Sequence, residues 1–169
     1  MAVHVIIGNI FSFLYALCIA ISVIKKNKTD LMFWQVLDII FSALSNIALC
    51  TYSALASNAV GIVRNYLTYK NKLTKNITYI LFVLCIVTGL CANNRGMIGL
   101  LPVIAVSSYT ICLYTTKSAQ QMRWALLPNL LMWFVHDVYV QAYPAALINI
   151  TLSIWTAIQI YKNHKGIPT

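Results

Sequence analysis

The chain of 169 residues carries three acids, and two of them sit inside apolar runs: Asp38 in "FWQVLDIIFSALS" and Asp137 in "WFVHDVYV", directly after His136. Arg64 interrupts "VGIVRNYL" in the same way. An ionisable side chain in such surroundings is costly unless it is paired or reaches water, so each position needs a reason. His136 with Asp137 has the composition of an acid–base pair. Their adjacency argues against it, because neighbours on a helix point about 100° apart and an oriented dyad needs both groups on one proton path. The sequence holds no HExxH, GxSxG or carboxylate cluster, so catalysis is not expected. Five cysteines, odd in number and without a CxxC, imply neither a disulfide framework nor a metal site.

Binding suits the spacing better. Asp38, Ser42 and Ser45 are spaced to share one helix face, as are Asn129, Trp133 and His136. Ser57, Gly61 and Arg64 make a third face, and Asn149, Ser153 and Thr156 a fourth. Four polar faces suggest a pathway for a polar solute, although Ser and Gly positions alone would equally suit close helix packing. Asp38 and Arg64 are expected to form a structural ion pair, since Asp38 lies about 10 Å in from the start of its helix and Arg64 nearly as far from the end of the next, on the same side of the membrane, at 1.5 Å per residue. Asp137 is expected round the helix beside Gln141, nearer the outer surface, while His136 and Trp133 meet solute.

The elements that must position these faces are membrane helices. Hydrophobic residues make up 60% of the chain and charged ones 9%, with a mean hydropathy of +0.78, too little charge for the surface of a soluble domain. Seven runs approach the ~20 residues that cross a bilayer: 3–24, 31–51, 53–69, 76–92, 97–115, 121–140 and 143–161. The net charge of +9 would fit nucleic acid if it lay on one soluble face. Instead ten of the twelve cations fall in alternate gaps: Lys25, Lys26 and Lys28; Lys70, Lys72 and Lys75; Lys117 and Arg123; Lys162 and Lys165. With seven spans, this places the N-terminus outside and the C-terminus in the cytoplasm.

The first and last thirds resemble each other. "YALCIAIS" (15–22) aligns with "YTICLYTT" (109–116), which sets Gly8 opposite Pro102. "SNIALCTYSA" (45–54) aligns with "HDVYVQAYPA" (136–145), and "YKNK" (69–72) with "YKNH" (161–164). Both units begin on the same side, so they run parallel and the fourth span inverts the chain between them. Parallel repeats with solute near the midplane are one of the recurring transporter plans.

"LLPVIAVSSYTICLY" (100–114), then "QMRW" and "WFVHD", together with Gln35, Ser57 and Arg64, resembles the YgjV-type family of bacterial inner-membrane proteins. The resemblance covers nearly the whole chain. It departs at Asp137, where an amide is expected, and at Asn46, where a histidine is expected. That family is similar to the SWEET, PQ-loop and PnuC-type vitamin transporters, which implies a 3-1-3 helix plan and a small-molecule transporter. The resemblance implies paired Asn and Trp side chains around the solute, for which Asn129, Trp133, Asn149 and Trp155 are the local candidates.

The expected protein is therefore an all-α membrane protein of seven transmembrane helices. Two parallel three-helix repeats (1–72 and 96–169) flank a linker helix (73–95), a SWEET-like 3-1-3 plan. Its expected function is transport of a vitamin-, nucleoside- or sugar-like solute, facilitated or ion-coupled, since the sequence has no nucleotide-binding signature. A membrane receptor or scaffold of the same fold is the alternative. The expected solute contacts are Asn129, Trp133, His136, Asn149, Ser42, Ser45 and Ser57. The expected surroundings are the bilayer of a bacterial inner membrane and, as a homo-oligomer, further copies of the chain; no nucleic acid, cofactor or metal is expected.

Overall fold

The computed structural model describes residues 3–24, 28–115 and 119–164. Among these residues the chain is all-helical: α1 (Val3–Ile24), α2 (Lys28–Ala48), α3 (Tyr52–Tyr69), α4 (Lys75–Cys91), α5 (Gly96–Thr115), α6 (Ala119–Tyr139) and α7 (Tyr143–His164). Lys25, Lys26, Lys117 and Lys165, which entered the charge argument, lie outside the described residues. Three helices hold stretches long and apolar enough to cross a membrane: Val3–Ser22, Gly96–Thr115 and Tyr143–Lys162. The apolar parts of α2 and α4 are shorter, Phe33–Ala48 and Lys75–Cys91.

α2 starts before the expected position, because the polar residues Lys28, Thr29 and Asp30 supply its first turn. It also ends earlier, at Ala48, although the apolar sequence continues. The amides of Cys50 and Thr51 turn back to the carbonyls of Ile47 and Asn46, at 3.1 and 2.9 Å, with Cys50 in the left-handed region at φ 54°. This is a Schellman end, which satisfies carbonyls the helix would leave open. α6 ends identically: Gln141 (φ 64°) and Ala142 bond back to Val138 and Asp137. The two turns fall at the positions that the alignment of 45–54 with 136–145 sets opposite each other.

Side chains are distributed as lipid demands. Ile10, Phe13, Ile80, Val83, Val135 and Leu147 are exposed, whereas Ser12, Asn46, Asn58, Arg64, His136 and Asn149 are buried. In water this arrangement would be unstable; in hydrocarbon, polar groups must find partners inside the protein.

Each helix packs on the next in a closed ring, α1–α2–α3–α5–α6–α7 and back to α1. α4 stands outside the ring against α3 and α5, with Leu81 and Cys85 packed on Val60, Val103 and Val106. One end of the ring is sealed where Val5, Leu49, Val140, Ala142 and Ala145 form an apolar cluster. Two asparagines clamp that end. Asn9 Nδ2 donates to the Gln141 carbonyl at 2.9 Å while its Oδ1 accepts from the Tyr143 amide at 3.0 Å. Asn94, before α5, does the same to the other turn, with 2.7 Å to the Cys50 carbonyl and 3.2 Å from the Tyr52 amide. Arg95 adds a bond from Nη2 to the Leu49 carbonyl at 2.9 Å.

The seal depends on Gly8, where a Cβ would stand 2.7 Å from Leu49 Cγ and Cδ2. Gly8→Val should therefore wedge α1 from the α2–α3 turn and cost about 1–3 kcal/mol, as overpacking generally does. Thermal unfolding in detergent measures it; an unchanged midpoint would show that Leu49 moves aside freely.

Candidate functional site

The ring encloses a cavity of about 90 Å³. It lies in the middle of the ring and in the half where α1 ends and α2 begins, away from the sealed end. Its lining comes in matched sets under the sequence alignment: Tyr15 with Tyr109, Asp38 with Asn129 and Ser42 with Trp133, while α3 and α7 each add an asparagine, Asn58 and Asn149. Gln35, Gly61, Arg64 and Asn65 complete the polar wall.

Polar bonds cross both seams between the first three helices and the last three. On the α1–α7 seam, Tyr15 OH donates to Asn149 Oδ1 at 2.9 Å. Asn149 Nδ2 in turn donates to Asp137 Oδ2 at 2.8 Å, and Asp137 Oδ1 lies 3.1 Å from His136 Nδ1. A chain of four polar groups thus runs from the cavity wall toward the sealed end. On the α3–α5 seam, the Arg64 guanidinium lies 5.0 Å from the Tyr109 ring centroid. Its Nη1 reaches Thr110 Oγ1 at 3.3 Å and the Val106 carbonyl at 3.5 Å, while Nε donates to Asn65 Oδ1 at 2.9 Å. The first unit has its own side-chain series: Thr51 Oγ1 donates to Asn46 Oδ1 at 2.6 Å, and Asn58 Nδ2 donates to Ser42 Oγ at 2.9 Å.

Several expectations need correcting against this geometry. His136 and Asp137 do meet, because the two side chains lean toward each other across the backbone angle that was expected to separate them. Asp137 is buried and bonded to Asn149, not placed at the outer surface. His136 is fully buried, edge-on to Trp133 with 5.6 Å between ring centroids, and lies behind the cavity wall that Trp133 itself lines. Its Nε2 has no hydrogen-bond partner among the described residues. Asp38 and Arg64 share the cavity at matched depth, but no direct salt bridge joins them among the described residues.

The remaining site residues divide. Asn129 lines the cavity and ties α6 to α5 through Nδ2 to the Ala105 carbonyl at 2.8 Å. Ser42, Trp133 and Asn149 also line it. Ser45 bonds instead to the Gly8 carbonyl at 2.8 Å, and Ser57 to the Ser53 carbonyl at 2.9 Å with Cys85 Sγ beside it, so both serve helix packing. Trp155 is 53% exposed and faces outward. Among the lining residues missed as site residues are Tyr15, Tyr109, Asn58 and Asn65. The tyrosines were the anchors of the repeat alignment itself, and Asn58 adjoins Ser57, the residue that the face comparison matched with Asn149.

A chain whose outside is apolar, whose buried interior is polar, and three of whose helices are long and apolar enough to cross a bilayer is an integral membrane protein. It belongs to the Imp-YgjV family, described as a bacterial inner membrane protein, which it matches over residues 6–166. Neither a curated protein nor a solved structure matches it.

Proposed function

We infer that the chain is a small-molecule transporter, facilitated or ion-coupled, not ATP-driven and not an enzyme. It would hold its solute between two parallel three-helix units, 1–72 and 96–169, with 73–95 as the inverting linker. The observation that carries this is the matched lining: both units contribute a tyrosine, an asparagine and an α2- or α6-face pair to one cavity. The common turn geometry at Cys50 and Gln141 and the ring order of helices support the same repeat. With seven spans and the N-terminus outside, the sealed end faces out and the cavity lies toward the cytoplasm. A reporter fused after Thr169 should be active only in the cytoplasm; periplasmic activity would overturn this topology.

Uptake of labelled solute into liposomes carrying the purified protein tests the function and separates transport from a receptor or scaffold role. Gly61→Val is the informative variant. The nearest neighbours of a Cβ there are Ile39, at 3.5 Å, and the Arg64 tip, at 3.9 Å, both ordinary contacts, yet Gly61 lines the cavity. The variant should fold and elute as the parent does while uptake falls by about tenfold or more, the effect of a loss near 1.4 kcal/mol. Trp133→Ala should likewise remove uptake, by opening the wall on which solute rests. Undiminished uptake by both variants would place the pathway elsewhere.

A further inference from the structure

We propose that the cavity is a site for a small zwitterion, an amino acid with a short side chain, whose ammonium faces Asp38 and whose carboxylate faces Arg64. The proposal rests on the transport reading for its physiological meaning but on the cavity alone for its chemistry.

Three observations converge. First, the size: about 90 Å³ holds roughly six to nine water-sized positions. That matches a solute of as many non-hydrogen atoms and falls well short of the ~300 Å³ at which pockets for drug-sized ligands begin. A nucleoside or vitamin does not fit this state.

Second, the charges: Asp38 and Arg64 are 3% and 4% exposed and line the same cavity. No side chain among the described residues hydrogen-bonds or ion-pairs with the Asp38 carboxylate. Arg64 is anchored through Nε and Nη1, on Asn65, Thr110 and the Val106 carbonyl, which leaves Nη2, beside Gly61 on the cavity wall, without a bond among the described residues. A buried charge needs a partner, and here each has an open position toward the same space.

Third, the balance: with Asp38 ionised, its carboxylate and the Arg64 guanidinium leave the cavity neutral. A lone cation or anion would leave a net charge in a low-dielectric interior, whereas a zwitterion leaves none and satisfies both groups. The amides of Asn58, Asn129 and Asn149 around it can bond to either end without changing that balance.

Purified protein in detergent is titrated with glycine, alanine, propionate, ethylamine and glycerol, with thermal stabilisation and calorimetry as readouts. The two amino acids should bind at least about tenfold more tightly than the three compounds that lack one or both charges, the loss expected when a charged hydrogen bond goes unmade. Asp38→Asn should erase the preference for alanine over propionate while keeping propionate binding. Arg64→Lys, which retains the charge, should keep the preference with weaker binding, so the proposal does not depend on a variant that lacks the buried cation. Equal binding of all five, or tightest binding of glycerol, overturns it, as does an absence of binding by the folded wild-type protein.

The same five compounds are then offered to proteoliposomes beside a nucleoside, a sugar and a vitamin. Uptake of one of the latter with no amino acid moved or bound would end the zwitterion assignment and leave transport standing. Glycine or alanine binding without uptake of any compound would leave the zwitterion site and end the transport reading.

Discussion

Asp137→Ala is expected to destabilise the protein by about 3–5 kcal/mol, while Asp137→Asn should cost about 1 kcal/mol or less. The carboxylate accepts from Asn149 Nδ2 at 2.8 Å and stands 3.1 Å from His136 Nδ1. All three side chains are buried, at 5%, 0% and 0% exposure for Asp137, His136 and Asn149. Alanine leaves an imidazole nitrogen and an amide without partners where water does not reach, and each such group costs about 1–3 kcal/mol. His136 already has one unpartnered nitrogen, Nε2, so losing the bond at Nδ1 strands the ring entirely. Asparagine keeps the shape. Its carbonyl can face His136 while its NH2 donates to Asn149, whose own amide turns over to present NH2 to the Tyr15 oxygen. The Tyr15 hydroxyl then accepts where it had donated, and its proton turns toward the cavity that Tyr15 lines. Unfolding midpoints of the two variants in detergent decide the matter. Equal losses would mean that the chain from Tyr15 to His136 contributes no more than packing.

Much of this architecture is legible in the sequence, for identifiable reasons. Helix positions follow from the spacing of apolar runs and polar gaps, and no helix end departs from expectation by more than three residues. The early end of α2 occurs where backbone geometry, not hydropathy, ends the element, whereas the early start of α2 and the late end of α7 are polar turns added to an apolar run. Cys50 and Gln141 take left-handed φ values of 54° and 64° in positions usually given to glycine, so no residue type announces the turn. The site was half legible. Helix periodicity placed Asp38, Ser42, Asn129, Trp133 and Arg64 on inward faces because a polar stripe in an apolar helix can only face inward. It could not tell a cavity wall from a helix seam, which is why Ser45 and Ser57 turned out to be packing residues. Nor could it foresee that His136 and Asp137 would meet, since side-chain lean within one turn depends on what Asn149 offers from α7. Tyrosine was undervalued because it reads as an interfacial aromatic, whereas Tyr15 and Tyr109 are both held at the seams by polar or charged partners.

Arg64→Leu is expected to cost about 3–5 kcal/mol, in the range for removing one partner from a buried charged assembly. Two effects combine. The guanidinium ties α3 to α5 through Thr110, the Val106 carbonyl and the Tyr109 ring, with Asn65 holding its Nε. It also balances the Asp38 carboxylate in the cavity they share. Leucine removes the tie and leaves Asp38 as the unbalanced charge. Lysine restores the charge but not the planar fork that serves several acceptors at once, so Arg64→Lys should recover part of the loss. The two effects separate in the double variant. Arg64→Leu with Asp38→Asn removes the imbalance but not the lost tie, and should be more stable than Arg64→Leu alone by about 1–2 kcal/mol, a coupling ordinary for residues in one charged network. Measured as a double-mutant cycle on the folded, detergent-solubilised protein, additivity of the two substitutions would mean that Asp38 and Arg64 do not sense each other across the cavity. Arg64 would then be a seam residue alone, and the neutral balance assigned to the cavity would fall with it.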